Sequence, residues 1–156
     1  MSSHFFETPP VAALNSSMGF EDEQGRGAPG ALIYLIDDDE LSREMLRRVL
    51  EGTGHFVRDF GSAAELLAAV RRQPPALVIS DIYMPVCDGF EVISALRHEH
   101  PSLPILTISG GGVLDAALTF RTAQLLGAHA VLAKPFCGGE LLRRIRDCIV
   151  APSSRG

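Results

Sequence analysis

The chain has no tryptophan, and aromatic residues fill only 6% of its 156 positions. Its interior must therefore be built from Leu, Ile, Val and Ala, side chains that suit helices packed on a parallel sheet. Cysteine is scarce as well: Cys87, Cys137 and Cys148 are an odd number without any C-x-x-C spacing. Neither a disulfide framework nor a zinc site is indicated, and a reducing cytosol is the simplest reading. Positive charge is in deficit, with a formal net charge of -5 and a pI near 5.5. That balance excludes a main role in gripping nucleic-acid phosphates or an anionic bilayer. Nowhere do about 18 apolar residues run together, as a membrane span needs, and the amino end lacks the basic and apolar regions of a secretion signal. A soluble, cytoplasmic protein is expected.

What is present divides the chain in three. Residues 1–30 are rich in Ser, Pro, Gly and acids and bury too little to offset the cost of ordering, so they read as a flexible amino-terminal tail. Residues 31–150 alternate apolar runs with helical periodicity, and 151–156 form a short carboxy-terminal tail. The apolar runs Ala31–Ile36, Ala76–Ser80, Pro104–Ser109 and Ala130–Ala133, with the more polar His55–Asp59, are five strands. Ser62, with Glu65 three residues on, caps the helix that follows the second strand; other helices follow the first strand, span Gly89 to Glu99 and Leu114 to Leu126, and close the chain. This is the pattern of an α/β doubly wound parallel sheet with five helices. On the fourth helix Leu114, Leu118 and Leu125 read as a core stripe, while Phe120, with Ala116 and Ala123, lies on another side as a widened core face or an exposed docking patch. His98-Glu99-His100 has a metal-like spacing but sits beside Pro101, and reads as a polar helix terminus.

Right-handed crossovers bring the strands' carboxyl ends to one edge of the sheet. There the first strand delivers Asp37 and Asp38, the third Asp81, the fourth Ser109 and the fifth Lys134. Crowded carboxylates raise each other's pKa unless a cation lies between them, and oxygen-only ligands suit Mg²⁺ over Zn²⁺. Lys134 and Ser109 supply a positive charge and a donor for phosphoryl oxygens. The chemistry indicated is Mg²⁺-assisted phosphoryl transfer onto a carboxylate.

Ile36-Asp37-Asp38-Asp39, Asp81-Ile-Tyr-Met-Pro-Val-Cys-Asp-Gly89, Ile105-Leu-Thr-Ile-Ser109-Gly110 and Lys134-Pro-Phe136, in that order and spacing, resemble the receiver domain of two-component response regulators. The resemblance implies the flavodoxin-like strand order 2-1-3-4-5. It implies that Asp81 is the phosphoacceptor, that Asp38, Asp81 and the Tyr83 carbonyl bind Mg²⁺ directly with Asp37 acting through water, and that Lys134, whose bond to Pro135 is cis, pairs with the phosphoryl group through its side chain. Ser109 becomes the hydroxyl that moves toward the phosphate. Val131 departs from the family, which usually has Tyr or Phe three residues before the lysine, and the segment from Ser109 to Lys134 is slightly long and opens on three glycines.

The function expected is that of a stand-alone bacterial phosphoacceptor. A sensor histidine kinase or phosphotransfer protein phosphorylates Asp81, and a protein effector reads the result, with the fourth helix as a candidate docking element. The chain would be a monomer or a phosphorylation-dependent dimer, with no direct nucleic-acid or membrane contact, and not an enzyme beyond its own phosphorylation and dephosphorylation. The few residues after Val150 leave no room for an output domain. Two alternatives remain: a phosphorylation-independent receiver-like interaction module, which Val131 makes conceivable, and a Mg²⁺-dependent phosphohydrolase. The hydrolase would need a second acid two residues after the nucleophile, where Tyr83 stands.

Overall fold

The computed structural model describes residues 19–21, 27–84, 88–110 and 116–150. Five strands, β1 (Leu32–Ile36), β2 (Phe56–Phe60), β3 (Leu77–Asp81), β4 (Ile105–Ser109) and β5 (Ala130–Ala133), form one sheet in the order β2-β1-β3-β4-β5. All four pairings are parallel. The helices are α1 (Glu40–Gly52), α2 (Ala63–Arg72), α3 (Gly89–Glu99), α4 (Ala116–Leu126) and α5 (Gly138–Val150). The expected architecture and strand order are both present. Within residues 1–30, read from sequence as a tail, the backbone pairs Gly19–Glu21 antiparallel to Gly27–Pro29. Runs of three residues with glycine in each carry no alternation from which such a ladder could be read.

The apolar strands are explained by burial on both faces. Tyr34, Ile36, Val78, Ile105 and Val131 point into a core shared with α2, α3 and α4. Ile33, Leu35, Leu77, Ile79, Leu106 and Leu132 point the other way, against α1 and α5. Each fully buried aliphatic side chain contributes about 1.5–3 kcal/mol, and the alternation fixes register, since a slip of one residue would exchange the two cores. Ser62 accepts from the Glu65 N–H at 3.4 Å, as the spacing predicts for the α2 cap. The Lys134–Pro135 bond is cis.

The α4 face differs from the periodic reading. On α4 the core side is Thr119 and Ala123, fully buried, with Phe120 partly buried against the same cluster. Leu118 and Leu125 are 51% and 86% exposed, so the supposed core stripe faces outward, and Leu114 lies outside the described residues. Helical spacing identifies which residues share a face but not which face turns inward; here the smaller Thr119 and Ala123 allow close approach to the sheet. On α1, Leu46 and Leu50 are buried while Leu41 and Met45 are exposed.

Arg97, near the end of α3, ties the α3–β4 connection to the end of α4. Its guanidinium donates to the carbonyls of His100 at 3.3 Å, Leu103 at 3.0 Å and Gly127 at 2.6 Å, and to that of Pro101. Gly127, just past α4, has φ +112°, and a Cβ there would lie 2.6 Å from Arg97 Nε. The positive φ calls for glycine, and a Cβ there would displace the Arg97 side chain. Glu99 is held by Arg71 of α2 through two bonds at 2.7 and 2.6 Å, which fits a polar helix terminus at His98-Glu99-His100.

Hydrogen bonds to a charged donor contribute about 1.5–3 kcal/mol each, less where water can replace them. Arg97→Met is therefore expected to lower stability by about 2–4 kcal/mol. Urea denaturation checks this, with the midpoint falling at unchanged slope.

Candidate functional site at the carboxyl edge of the sheet

The acidic triplet after β1 does not act as one group. Asp37 is buried; its Oδ1 accepts from the Asp39 N–H at 2.9 Å, and its own N–H donates to the Phe60 carbonyl at 3.3 Å. Arg43, early in α1, donates through Nη1 to the Asp37 carbonyl at 2.7 Å and through Nε to Asp59 Oδ2 at 3.2 Å. Asp38 is half-buried beside Asp37. Asp39 turns away to cap α1, accepting from the Leu41 N–H at 3.3 Å and the Ser42 hydroxyl at 2.8 Å. The Ser42 bond holds its carboxyl below the usual carboxylate range.

Asp81, the last residue of β3, is 7% exposed. Both of its oxygens are engaged: Oδ2 accepts from Lys134 Nζ at 3.0 Å and Oδ1 from the Tyr83 N–H at 2.9 Å. Lys134 leaves β5 with its N–H on the Ser109 carbonyl at 2.8 Å, so the buried Ser109 at the end of β4 sits between the strands bearing the ion pair. A Cβ at Gly110 would lie 3.1 Å from the Lys134 Cδ. Gly89 opens α3 hard against the end of β3, where a Cβ would overlap the Asp81 carbonyl oxygen and lie 2.5 Å from Ile82 Cα. Only glycine fits this approach.

The electrostatics are those of negative charge held in a dry place. Burial pushes the Asp37 carboxyl up to about 6, aided by the charge of Asp81 and a hydrogen bond with Asp38, against the pull of the Asp39 N–H and of Lys134. Among the described residues no three His, Cys, Asp or Glu side chains are gathered so as to hold a metal ion by themselves. The expected crowd of three carboxylates is thus a looser set, which an oxygen-preferring ion would complete with a main-chain carbonyl and water. The donors present at this edge are carboxylate and main-chain oxygens, a set that suits a small, oxygen-preferring divalent cation.

All six residues singled out from the sequence, Asp37, Asp38, Asp81, Tyr83, Ser109 and Lys134, lie at this edge. Asp81 meets Lys134 and Tyr83 directly, whereas Ser109 meets Lys134 through its backbone. Cys87 lies outside the described residues, as do Gly111 and Gly112 of the glycine run. Two contributors were not legible: Arg43, which holds the Asp37 carbonyl, and Gly89, whose place in the motif does not disclose the close approach. Outside the site itself, the Thr119 hydroxyl of α4 lies 2.9 Å from that of Tyr83.

Comparison with known proteins identifies the family and matches the fold. A family model described as the response regulator receiver domain matches residues 33–146. The DNA-binding transcriptional regulator NtrC of Escherichia coli K12 is 35% identical over 118 residues, 76% of this chain and 24% of that protein. The C4-dicarboxylate transport transcriptional regulatory protein DctD of Rhizobium meliloti is 35% identical over 114 residues, again 24% of its length. The chain thus spans about a quarter of these curated relatives. The crystal structure of the receiver domain of NtrX from Brucella abortus superposes with a TM-score of 0.70 at 29% identity, covering 75% of this chain and 97% of that one. That of the chemotaxis response regulator CheY4 of Vibrio cholerae gives 0.68 at 27%, covering 76% and 98%.

The raised Asp37 makes a signed prediction. The folded chain keeps this proton up to about pH 6, whereas the unfolded chain releases it near 3.8, so Asp37's contribution to stability is full below pH 4 and is lost as pH rises through 6. With divalent cations chelated, Asp37→Asn should therefore gain in stability relative to the native chain as pH rises from 4 to 6.5 and level off above. Parallel urea midpoints across that range measure the difference, in which carboxylates distant from Asp37 cancel.

Proposed function

Since this chain belongs to the response regulator receiver family, we propose that Asp81 is its phosphoacceptor and that phosphorylation switches a protein-binding surface. The observation that carries the assignment is the Asp81 carboxylate, nearly buried at the end of β3 with one oxygen on Lys134 and the other on the Tyr83 N–H. A carboxylate so held is oriented before its substrate arrives.

The donor is a phosphohistidine of a histidine kinase, the partner class a receiver domain implies, or of a phosphotransfer protein. A carboxylate oxygen of Asp81 attacks phosphorus as the N–P bond breaks, and the electron pair stays with the departing imidazole, which takes up a proton. Lys134 transfers its ion pair from the carboxylate to a phosphoryl oxygen, and Ser109, on the neighbouring strand, donates its hydroxyl to another. Receiver domains generally bind Mg²⁺; here Asp38, Asp81 and the Tyr83 carbonyl would hold it, with Asp37 acting through water, and it would offset charge on the phosphoryl group. Arg43 keeps the acidic pair in place through the Asp37 carbonyl.

The effector is a protein, and the outward Leu118 and Leu125 of α4 supply an apolar surface for it. Residues 31–150 are taken as the receiver unit. No helix among the described residues is long and apolar enough to cross a membrane, which accords with a cytoplasmic site of action. Val131 is buried in the core in register with Thr107, so the position usually taken by a movable ring holds a small branched side chain.

Incubation with acetyl phosphate and Mg²⁺ should give a single acyl phosphate, cleaved by hydroxylamine, that is absent from Asp81→Asn. Lys134→Ala should slow its formation by roughly 10²-fold or more, the scale of a lost transition-state donor. Multiple turnover of phosphomonoesters, which are not phosphodonors to a receiver, would indicate a hydrolase, and no incorporation from acetyl phosphate a phosphorylation-independent module.

A further inference from the structure

Tyr83 makes a second contact at its far end. Thr119 is fully buried on α4, and its Oγ1 lies 2.9 Å from the Tyr83 Oη. The other threonine of α4, Thr122, satisfies its hydroxyl inside the helix on the Leu118 carbonyl at 2.8 Å. Thr119 thus spends its hydrogen bond on the loop that follows the phosphoacceptor. We propose that the Tyr83–Thr119 hydroxyl pair couples the Asp81 site to α4, filling the transmitting role left open by Val131, and that Thr119 is a positioning residue acting through Tyr83. This rests on the phosphoacceptor reading above.

The coupling is continuous in space. Asp81 Oδ1 accepts from the Tyr83 N–H, and Tyr83 is fixed on its other side by a bridge to Asp88, the cap of α3. From Cα to hydroxyl the Tyr side chain has two torsions, and the ring is half-buried among the residues of the α2–α3–α4 core. A change at Asp81 that alters the Tyr83 N–H is carried to the hydroxyl by a stiff, packed group. At that end the arrangement is two-state. A buried Thr hydroxyl that loses its partner carries the cost of an unsatisfied donor, so α4 must follow the tyrosine or settle where Thr119 finds another acceptor. Because Leu118 precedes Thr119 on the helix and faces outward, movement of Thr119 is movement of the apolar surface. By linkage, a partner that holds α4 in one position changes the site's affinity for its cation by the same factor as the cation changes the partner's.

The test monitors amide hydrogen exchange across 116–126 in the full chain, with and without Mg²⁺ and beryllofluoride, a phosphoryl mimic. In the native chain α4 exchange should change on addition. Thr119→Val keeps the shape without the hydroxyl; its rate of phosphorylation by acetyl phosphate should stay within about threefold of native while the α4 response is lost and that at 77–84 persists. Thr119→Ser, which restores the hydroxyl, should restore the response. Tyr83→Phe should lose it too, and the double variant should lose nothing further. An α4 response in Thr119→Val or Tyr83→Phe equal to that of the native chain overturns the coupling alone. Absence of any response in the native chain overturns the phosphoacceptor reading and the coupling with it.

Discussion

Much of the structure depends on one ion pair, Lys134 to Asp81, which joins two strands that do not touch. Between β3 and β5 lies β4, and the pair closes over its end, with Ser109 beneath. The partners are unequal: the carboxylate side chain is 9% exposed and the lysine 36%. Burying a carboxylate that deep is costly unless it is paired and hydrogen-bonded; here Lys134 reaches one of its oxygens and the Tyr83 N–H the other. The same placement that stabilises it aims it at the open edge of the sheet.

The charge around this pair is graded. Asp37 is driven toward its neutral form by burial, Asp38 is half in water, and Asp39 belongs to the helix. The role of each is set by the backbone that carries it. The first is drawn inward by its bond to β2 and by Arg43, and the third has the extended conformation of a helix cap. Three identical letters in a row therefore hold three chemically different groups.

How much of this was legible depends on the kind of signal. The strands and the residues ending them could be read because apolar runs covered on both faces stop abruptly at a polar edge, and because that edge gathers ligands. Helix rotation could not, since α4 carries leucines on one side and Phe120 with alanines on another, and spacing alone does not decide which turns inward. The outcome turned on Thr119, a polar residue no hydrophobic pattern would place at the centre of an interface. Arg43 and Gly89 were hidden for a different reason: what they do is defined by atoms distant in sequence, the Asp37 carbonyl and the end of β3.

Arg97 adds a mechanical consequence. By binding the carbonyl of Gly127 together with those of the α3–β4 connection, it clamps the carboxyl end of α4 to α3, whereas the Tyr83 hydroxyl meets α4 in its first turn. A helix of 11 residues is about 16 Å long. Held at one end and addressed near the other, α4 is a lever whose fulcrum is the left-handed glycine: a tilt of about 4° over that length moves its first turn by about 1 Å. Leu125, beside the fulcrum, stays nearly still, and Leu118 travels most of the arc.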